Sequence, residues 1–101
     1  MQTNVQKDAD KAVVKLVGRF DFNTHRDFRG AYEPLIIDPE VRSVSVDFSG
    51  VDYLDSSALG MLLMLRDKLG GVNKEVVLTG VRGNVKQVLD IANFSKLFKI
   101  S

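Results

Sequence analysis

Two hydrophobic periods stand back to back between Ser43 and Leu69, and this junction constrains the fold more than any other feature of the chain. In "SVSVDF" (Ser43–Phe48), Val44, Val46 and Phe48 alternate with polar residues, and Val51 follows, as in a well-buried strand. From Ala58 the spacing changes: Ala58, Met61, Leu62, Leu65 and Leu69 form one stripe of a helix from about Ser57 to Leu69. Gly70-Gly71 is expected to stop that helix, with glycine in a left-handed C-terminal cap. A strand passing through the short connection "SGVDYLD" into a helix with an apolar stripe is half of a crossover unit, so the helix is expected to cover a sheet.

The rest of the chain fits the same plan. "KAVVKLVGRF" (Lys11–Phe20) reads as a strand, and "NVQK" before it pairs as a hairpin across the "DAD" turn. Phe28, Ala31, Tyr32 and Leu35 mark a helix face in "FNTHRDFRGAYEPL". Asn23 or Thr24 is its candidate cap, Pro34 is expected to break or kink it, and "IIDPEV" follows as a loop. "EVVLTGV" is a further strand. "RGNVKQVLDIAN" is a helix with Val85, Val88, Leu89 and Ala92 on one face, and "FSKLFKI" is apolar enough to dock. The order β-β-α-β-α-β-α predicts one α/β domain over residues 1–101, with a mixed sheet of about four to five strands and helices mainly on one side.

Composition narrows the function classes. A formal net charge of +1 gives no electrostatic case for nucleic-acid binding. With no cysteine, thiol catalysis, thiolate metal sites and disulfides are excluded, as suits a reducing cytoplasm. "MQTNVQKDADK" lacks a signal-peptide core, and the apolar run Met61–Leu65 is far shorter than the ~20 residues that span a bilayer. The expectation is a soluble cytoplasmic protein without membrane contact.

Catalytic constellations are equally scarce. The lone histidine, His25, has no indicated partner, and the G-x-S-x-G elbow is missing around Ser56 and Ser57. Asp47, Asp52 and Asp55 lack metal-ligand spacing, so no metal and no cofactor are expected. The acidic pocket of a phosphoaspartate receiver would need a longer chain with five βα repeats. Gly80-x-x-Gly83 has the spacing of an RNA-clamping loop but falls between a strand and a helix, where a plain turn accounts for it.

"LDSSALG" (Leu54–Gly60) remains. Asp-Ser-Ser ahead of an apolar helix is what an ordinary N-cap looks like. Two features go beyond capping. Leu59, Leu63 and Met64 lie outside the apolar stripe, so part of a second apolar face is left either for a partner or for the C-terminal segment to cover. In addition, a helix N-terminus accommodates a phosphate, and phosphoserine would add about −1.5 to −2 charges beside Asp52 and Asp55. A partner on the neighbouring apolar surface would be repelled. Physical chemistry leaves Ser56 and Ser57 nearly tied as the acceptor.

"VDFSGVDY" followed by "LDSSALG" is similar to the D-S-[S/T]-G-L-G signature of STAS domains, and "GRFD" (Gly18–Asp21) resembles their G-x-[L/F]-D motif. "LTGVRGNVKQVLDIANFSKLFKI" resembles their closing strand, helix and tail, so the likeness spans nearly the whole chain. The closest subgroup is the bacterial anti-sigma factor antagonists. The resemblance implies a non-enzymatic partner switch, monomeric when free, that binds an anti-sigma factor/serine-protein kinase while unphosphorylated. Phosphorylation of the first signature serine releases it, and a PPM-type phosphatase reverses the step. Carried onto this sequence, Ser56 is the phosphoacceptor, with Asp55, Ser57, Ala58 and Gly60 as its neighbours. Asp21, Asp52, Leu59, Leu63 and Met64 are the partner-binding candidates. Ala58 stands where the family usually has glycine, and Arg19 where it often has glutamate. The alternative within the family is an interaction subunit that is never phosphorylated and regulates a biofilm or secretion pathway.

Overall fold

A computed structural model describes all of residues 1–101. Strands β1 (Gln2–Asp8), β2 (Lys11–Phe20), β3 (Ser43–Leu54), β4 (Glu75–Thr79) and β5 (Lys99–Ile100) form one sheet in chain order. β1 pairs antiparallel with β2, and every later pairing is parallel. Helices α1 (His25–Ile37), α2 (Ser56–Gly70) and α3 (Gly83–Ile91) make the crossovers. The α/β class and the mixed sheet are as the sequence implies, and the docking tail "FSKLFKI" supplies the fifth strand.

One face of the sheet carries the core. Along β2, Ala12, Val14, Leu16 and Phe20 are fully buried, whereas Lys11, Val13, Lys15, Val17 and Arg19 face solvent. β3 adds Val44, Val46, Phe48, Val51 and Leu54 to the buried side, and its Ser43, Ser45 and Asp47 are only half-buried on the other. β3 is therefore buried on one face rather than two. Ala58, Met61, Leu62, Leu65 and Leu69 of α2 are all buried against this layer, the stripe read from their spacing. Phe28, Tyr32 and Leu35 do the same for α1, and Val85 and Leu89 for α3. Burial of a leucine of this kind stabilises the fold by about 2 kcal/mol.

Four local expectations give way to the structure. "SGVDYLD" is not a connection: β3 runs through it to Leu54, with two register shifts against β2 that place an extra residue near Ser49 and another near Asp52. Gly50 permits the first shift, since a Cβ there would lie 2.9 Å from the Leu16 carbonyl oxygen. Pro34 does not break α1, which runs on through Ile36 and Ile37, residues read as loop. Gly70 and Gly71 do not form the left-handed stop. Gly71 is right-handed at φ −64°, and Asn73, at φ 61°, makes the reversal. Finally, Thr24 stands at the N-cap of α1 but its side chain makes no capping bond there, and the side-chain cap belongs to Asp21, at the head of the short 3-10 turn Phe22–Thr24. The Asp21 side chain accepts from the Asn23 N–H (3.0 Å), its own N–H donates to Thr24 Oγ1 (3.1 Å), and Thr24 is buried.

The end of α1 is held from outside the helix. Lys74 Nζ donates to the carbonyl oxygens of Leu35 (2.6 Å), Ile36 (2.9 Å) and Asp38 (2.7 Å), placing a cation where the helix dipole is negative. Lys7 Nζ reaches Asp38 Oδ2 at 2.6 Å and ties β1 to the same place. The hydrogen bond from Lys7 lowers the Asp38 carboxyl below its usual 3.8. A depressed carboxyl stabilises the fold above its unfolded value and loses that contribution as pH falls through the folded value. Asp38→Asn should therefore flatten the dependence of urea-melt stability on pH below about pH 4, and leave the profile between about pH 5 and pH 9 parallel to wild type.

Gly30 gives a second check on the helix layer. It lies exposed inside α1, and an added Cβ would meet nothing within 4 Å. Gly30→Ala should raise stability by about 0.5–1 kcal/mol, seen as a higher urea midpoint at unchanged slope.

Candidate functional site

The carboxyl ends of β2 and β3 lie side by side, and the site is built where these two strands end. Phe20, the last residue of β2, accepts a backbone hydrogen bond from Asp55 (3.3 Å), which directly follows β3. Asp55 has extended backbone angles (φ −108°, ψ 179°) and serves as the N-cap of α2. Its carboxylate is divided between the start of α2 and the loop after β2. Oδ1 accepts from the Ala58 N–H at 3.0 Å, closing the helix start, and Oδ2 accepts from the Phe22 N–H at 3.3 Å. The capping expected from the sequence is present; the second bond, spanning 33 residues, was not expected.

Ser56 is the first residue of α2 and is exposed, whereas Ser57 is half-buried. Seven residues make nearly two helical turns, so Ser56 and Leu63 share a face about 10 Å apart, with the exposed Gly60 between them. Leu63 is 36% and Met64 51% exposed, so this part of the second apolar face is open. Leu59 is different. It is half-buried and packed against the core, so it contributes only an edge to that face. The C-terminal segment does not cover Leu63 and Met64. It docks further along α2, where Arg66 Nε donates to the Leu97 carbonyl oxygen (3.0 Å), with Phe94 and Phe98 buried.

The other predicted residues surround the helix start in different ways. Asp52 is exposed at the second register shift of β3. Asp21 is largely turned inward as a cap, with Arg19 Nε 3.6 Å from its Oδ2 and the Arg19 guanidinium 4.1 Å from the centre of the Tyr53 ring. Ala58 is fully buried, so its methyl group packs into the core at the start of α2. Gly18 has φ +106° at the register shift between β2 and β3, which accounts for a glycine there.

Phe22 was missed by the sequence reading. It is 74% exposed at the tip of the loop held by Asp55. Its only sequence signal is an aromatic residue directly after "GRFD". A hollow of about 520 Å³ lies at the far end of α2, between Arg66, Gly70, Lys74 and Phe98, and Ser56 does not line it. His25 is exposed beside Arg26, in the first turn of α1. Ser56 thus stands exposed at a helix N-terminus, with acidic neighbours and an adjoining apolar strip.

Known proteins share the sequence family and the fold of this chain. The chain is 49% identical over 94 residues to a STAS-domain containing protein of Pseudomonas aeruginosa (strain UCBPP-PA14), covering 93% of this chain and 91% of the relative. An anti-sigma factor antagonist from Mycobacterium paratuberculosis has the same fold, at a TM-score of 0.82 and 25% identity over 98% of this chain and 83% of that one. The fold also matches the Bacillus cell fate determinant SpoIIAA in its phosphorylated form, at a TM-score of 0.75 and 17% identity, covering 99% and 91% of the two chains. The family model described as "Mlab, STAS domain" matches residues 3–99, nearly everything from the first strand to the last. With its sheet order, its Asp55-capped helix and this match, the chain belongs to the STAS-domain family.

Proposed function

We propose that this protein is a partner switch of the anti-sigma factor antagonist type, controlled by phosphorylation of Ser56. In its unphosphorylated state it binds an anti-sigma factor that is also a serine-protein kinase, through the exposed strip of α2 and the acidic loops beside it. The observation that carries this reading is the position of Ser56: exposed, first in α2, and on the same helix face as the open Leu63. The half-buried Ser57 presents its hydroxyl less freely, which favours Ser56 as acceptor. The likeness to SpoIIAA, solved in unphosphorylated and phosphorylated forms, supports a fold that tolerates both states.

In the forward step the γ-phosphoryl group of ATP passes to Ser56 Oγ. An Oγ–P bond forms as the bond from the γ-phosphorus to the bridging oxygen breaks, the Oγ proton goes to the kinase's base, and ADP leaves. The added charge of about −1.5 to −2 sits at the positive end of α2, so the free helix tolerates it. A docked partner covering the apolar strip would instead bury this charge beside Asp52 and Asp55, where loss of its hydration and repulsion from the two carboxylates both oppose the complex. A PPM-type phosphatase resets the switch by directing water at the phosphorus: a bond from the water oxygen to phosphorus forms as the Oγ–P bond breaks, inorganic phosphate leaves, and Ser56 Oγ regains a proton. This chain itself supplies no catalytic group in the scheme and acts in the cytoplasm as a monomer when free.

Mapping the phosphorylation site on protein purified from its native cell tests this reading. Phosphate on Ser56 is expected; a single unmodified species under every growth condition would instead fit the STAS interaction subunit that is never phosphorylated.

A further inference from the structure

Asp55 occupies an unusual position for a helix cap. Its two carboxylate oxygens serve two different elements: Oδ1 takes the Ala58 N–H of α2 at 3.0 Å, and Oδ2 takes the Phe22 N–H of the loop after β2 at 3.3 Å. The first is a bond within one turn, to an N–H that also donates to the Asp55 backbone carbonyl oxygen at 3.1 Å, so this amide keeps a partner if the carboxylate moves. The second crosses between elements, is the longer of the two, and is exposed. Phe22 is 74% exposed at this point, an aromatic side chain held out toward solvent beside the start of α2. Aromatic residues, phenylalanine among them, are enriched at protein interfaces relative to the rest of the surface.

Resting on the phosphorylation of Ser56 proposed above, we propose that Asp55 is the positioning residue that couples this phosphate to the Phe22 loop. A phosphate on the first residue of α2 seeks the same free N–H groups that Asp55 now caps. Two anions on consecutive residues repel each other, and the phosphate carries the larger charge and three acceptor oxygens. The helix start loses nothing when the phosphate replaces the carboxylate there, because an acceptor is still present. Phe22 has no such substitute. Displacement of Asp55 breaks its 3.3 Å bond, and the loop carrying the aromatic side chain is released. Phosphorylation would then act twice on the partner surface, by adding charge on α2 and by loosening an aromatic contact on the neighbouring loop.

The test uses the full chain with phosphoserine genetically encoded at position 56, so it requires no kinase and no partner. Amide hydrogen exchange is followed by NMR at Phe22 and Ala58, with Val77 in β4 as an internal reference. Phosphoserine should speed exchange at Phe22 by about tenfold or more and leave Ala58 and Val77 within a factor of about three of the unmodified chain. Asp55→Ser supplies the second arm, because a serine hydroxyl still caps Ala58 but is too short to reach Phe22. In this variant Phe22 should exchange fast before phosphorylation and show no further change after it. Unchanged exchange at Phe22 on phosphorylation would overturn the coupling. So would a uniform rise at all three amides, or a phosphate response at Phe22 that persists in Asp55→Ser. None of these outcomes bears on whether a kinase modifies Ser56 in the cell, so the two proposals fail separately.

Discussion

Incubated with its cognate kinase and labelled ATP, the wild-type chain and Ser57→Ala should take up phosphate, and Ser56→Ala should take up none. The difference is expected to be at least about 100-fold in initial rate, because the acceptor oxygen itself is removed. Ser57 is the rival, and its half-buried position is the physical reason to expect little labelling there. Folding does not confound the comparison. Ser56 is exposed and Asp55, not Ser56, caps α2, so Ser56→Ala should melt within about 0.5 kcal/mol of wild type. Ser56→Asp should keep the fold as well, since an acidic residue suits the first turn of a helix, yet lose the complex with the kinase. Labelling that persists in Ser56→Ala and vanishes in Ser57→Ala would transfer the acceptor role to Ser57.

The largest loss of stability is expected at a position with no part in the switch. Gly80 follows β4 with φ +65°, where residues with a side chain are strained. A Cβ there would lie 2.7 Å from Asp47 Oδ1 and 2.8 Å from the Ser49 backbone nitrogen. Neither neighbour is free to give way. Asp47 Oδ1 accepts from that same Ser49 N–H at 2.9 Å, and the Ser49 carbonyl oxygen accepts from Arg82 Nη2 at 2.8 Å. The loop after β4 is thereby packed onto β3 where the pairing of β3 with β4 ends, at Asp47 and Thr79. Gly80→Ala should cost about 3 kcal/mol, combining the left-handed backbone with the overpacking. For a domain of this size that corresponds to a fall in Tm of roughly 12–24 °C. Gly30→Ala, which moves stability the other way, is the matching control for the chemistry of the substitution. A Gly80→Ala melt within a degree of wild type would contradict the close packing at this turn.

The parts of the fold legible in the sequence are those with an unbroken period. The α2 stripe could be read residue by residue because its five buried positions keep the 3.6 spacing throughout. The second half of β3 could not, because two extra residues interrupt its alternation against β2 and make "SGVDYL" look like a loop. The helix stop was misplaced for a similar local reason. Gly70-Gly71 carries the stronger left-handed signal, but the chain continues right-handed and turns at Asn73, where Lys74 N–H donates back to the Leu69 carbonyl oxygen at 2.9 Å. At the site, the N-cap at Asp55 was visible because it acts within one turn. Its bond to Phe22 joins residues 33 apart, and no local pattern encodes such a contact. The distinction between Leu59, packed on the core, and Leu63 and Met64, open to solvent, also depends on what surrounds α2 and not on its own sequence.

The proposed release of the partner by phosphate on Ser56 acts on a complex held by the exposed strip of α2. It is tested most directly by calorimetric titration of the kinase partner, recovered by co-purification, with the unmodified chain and with the chain carrying phosphoserine at position 56. The expected result is binding weakened by about 100-fold or more, equivalent to about 2.7 kcal/mol, with both chains equally folded by circular dichroism. Equal affinities of the two chains for that partner would contradict it.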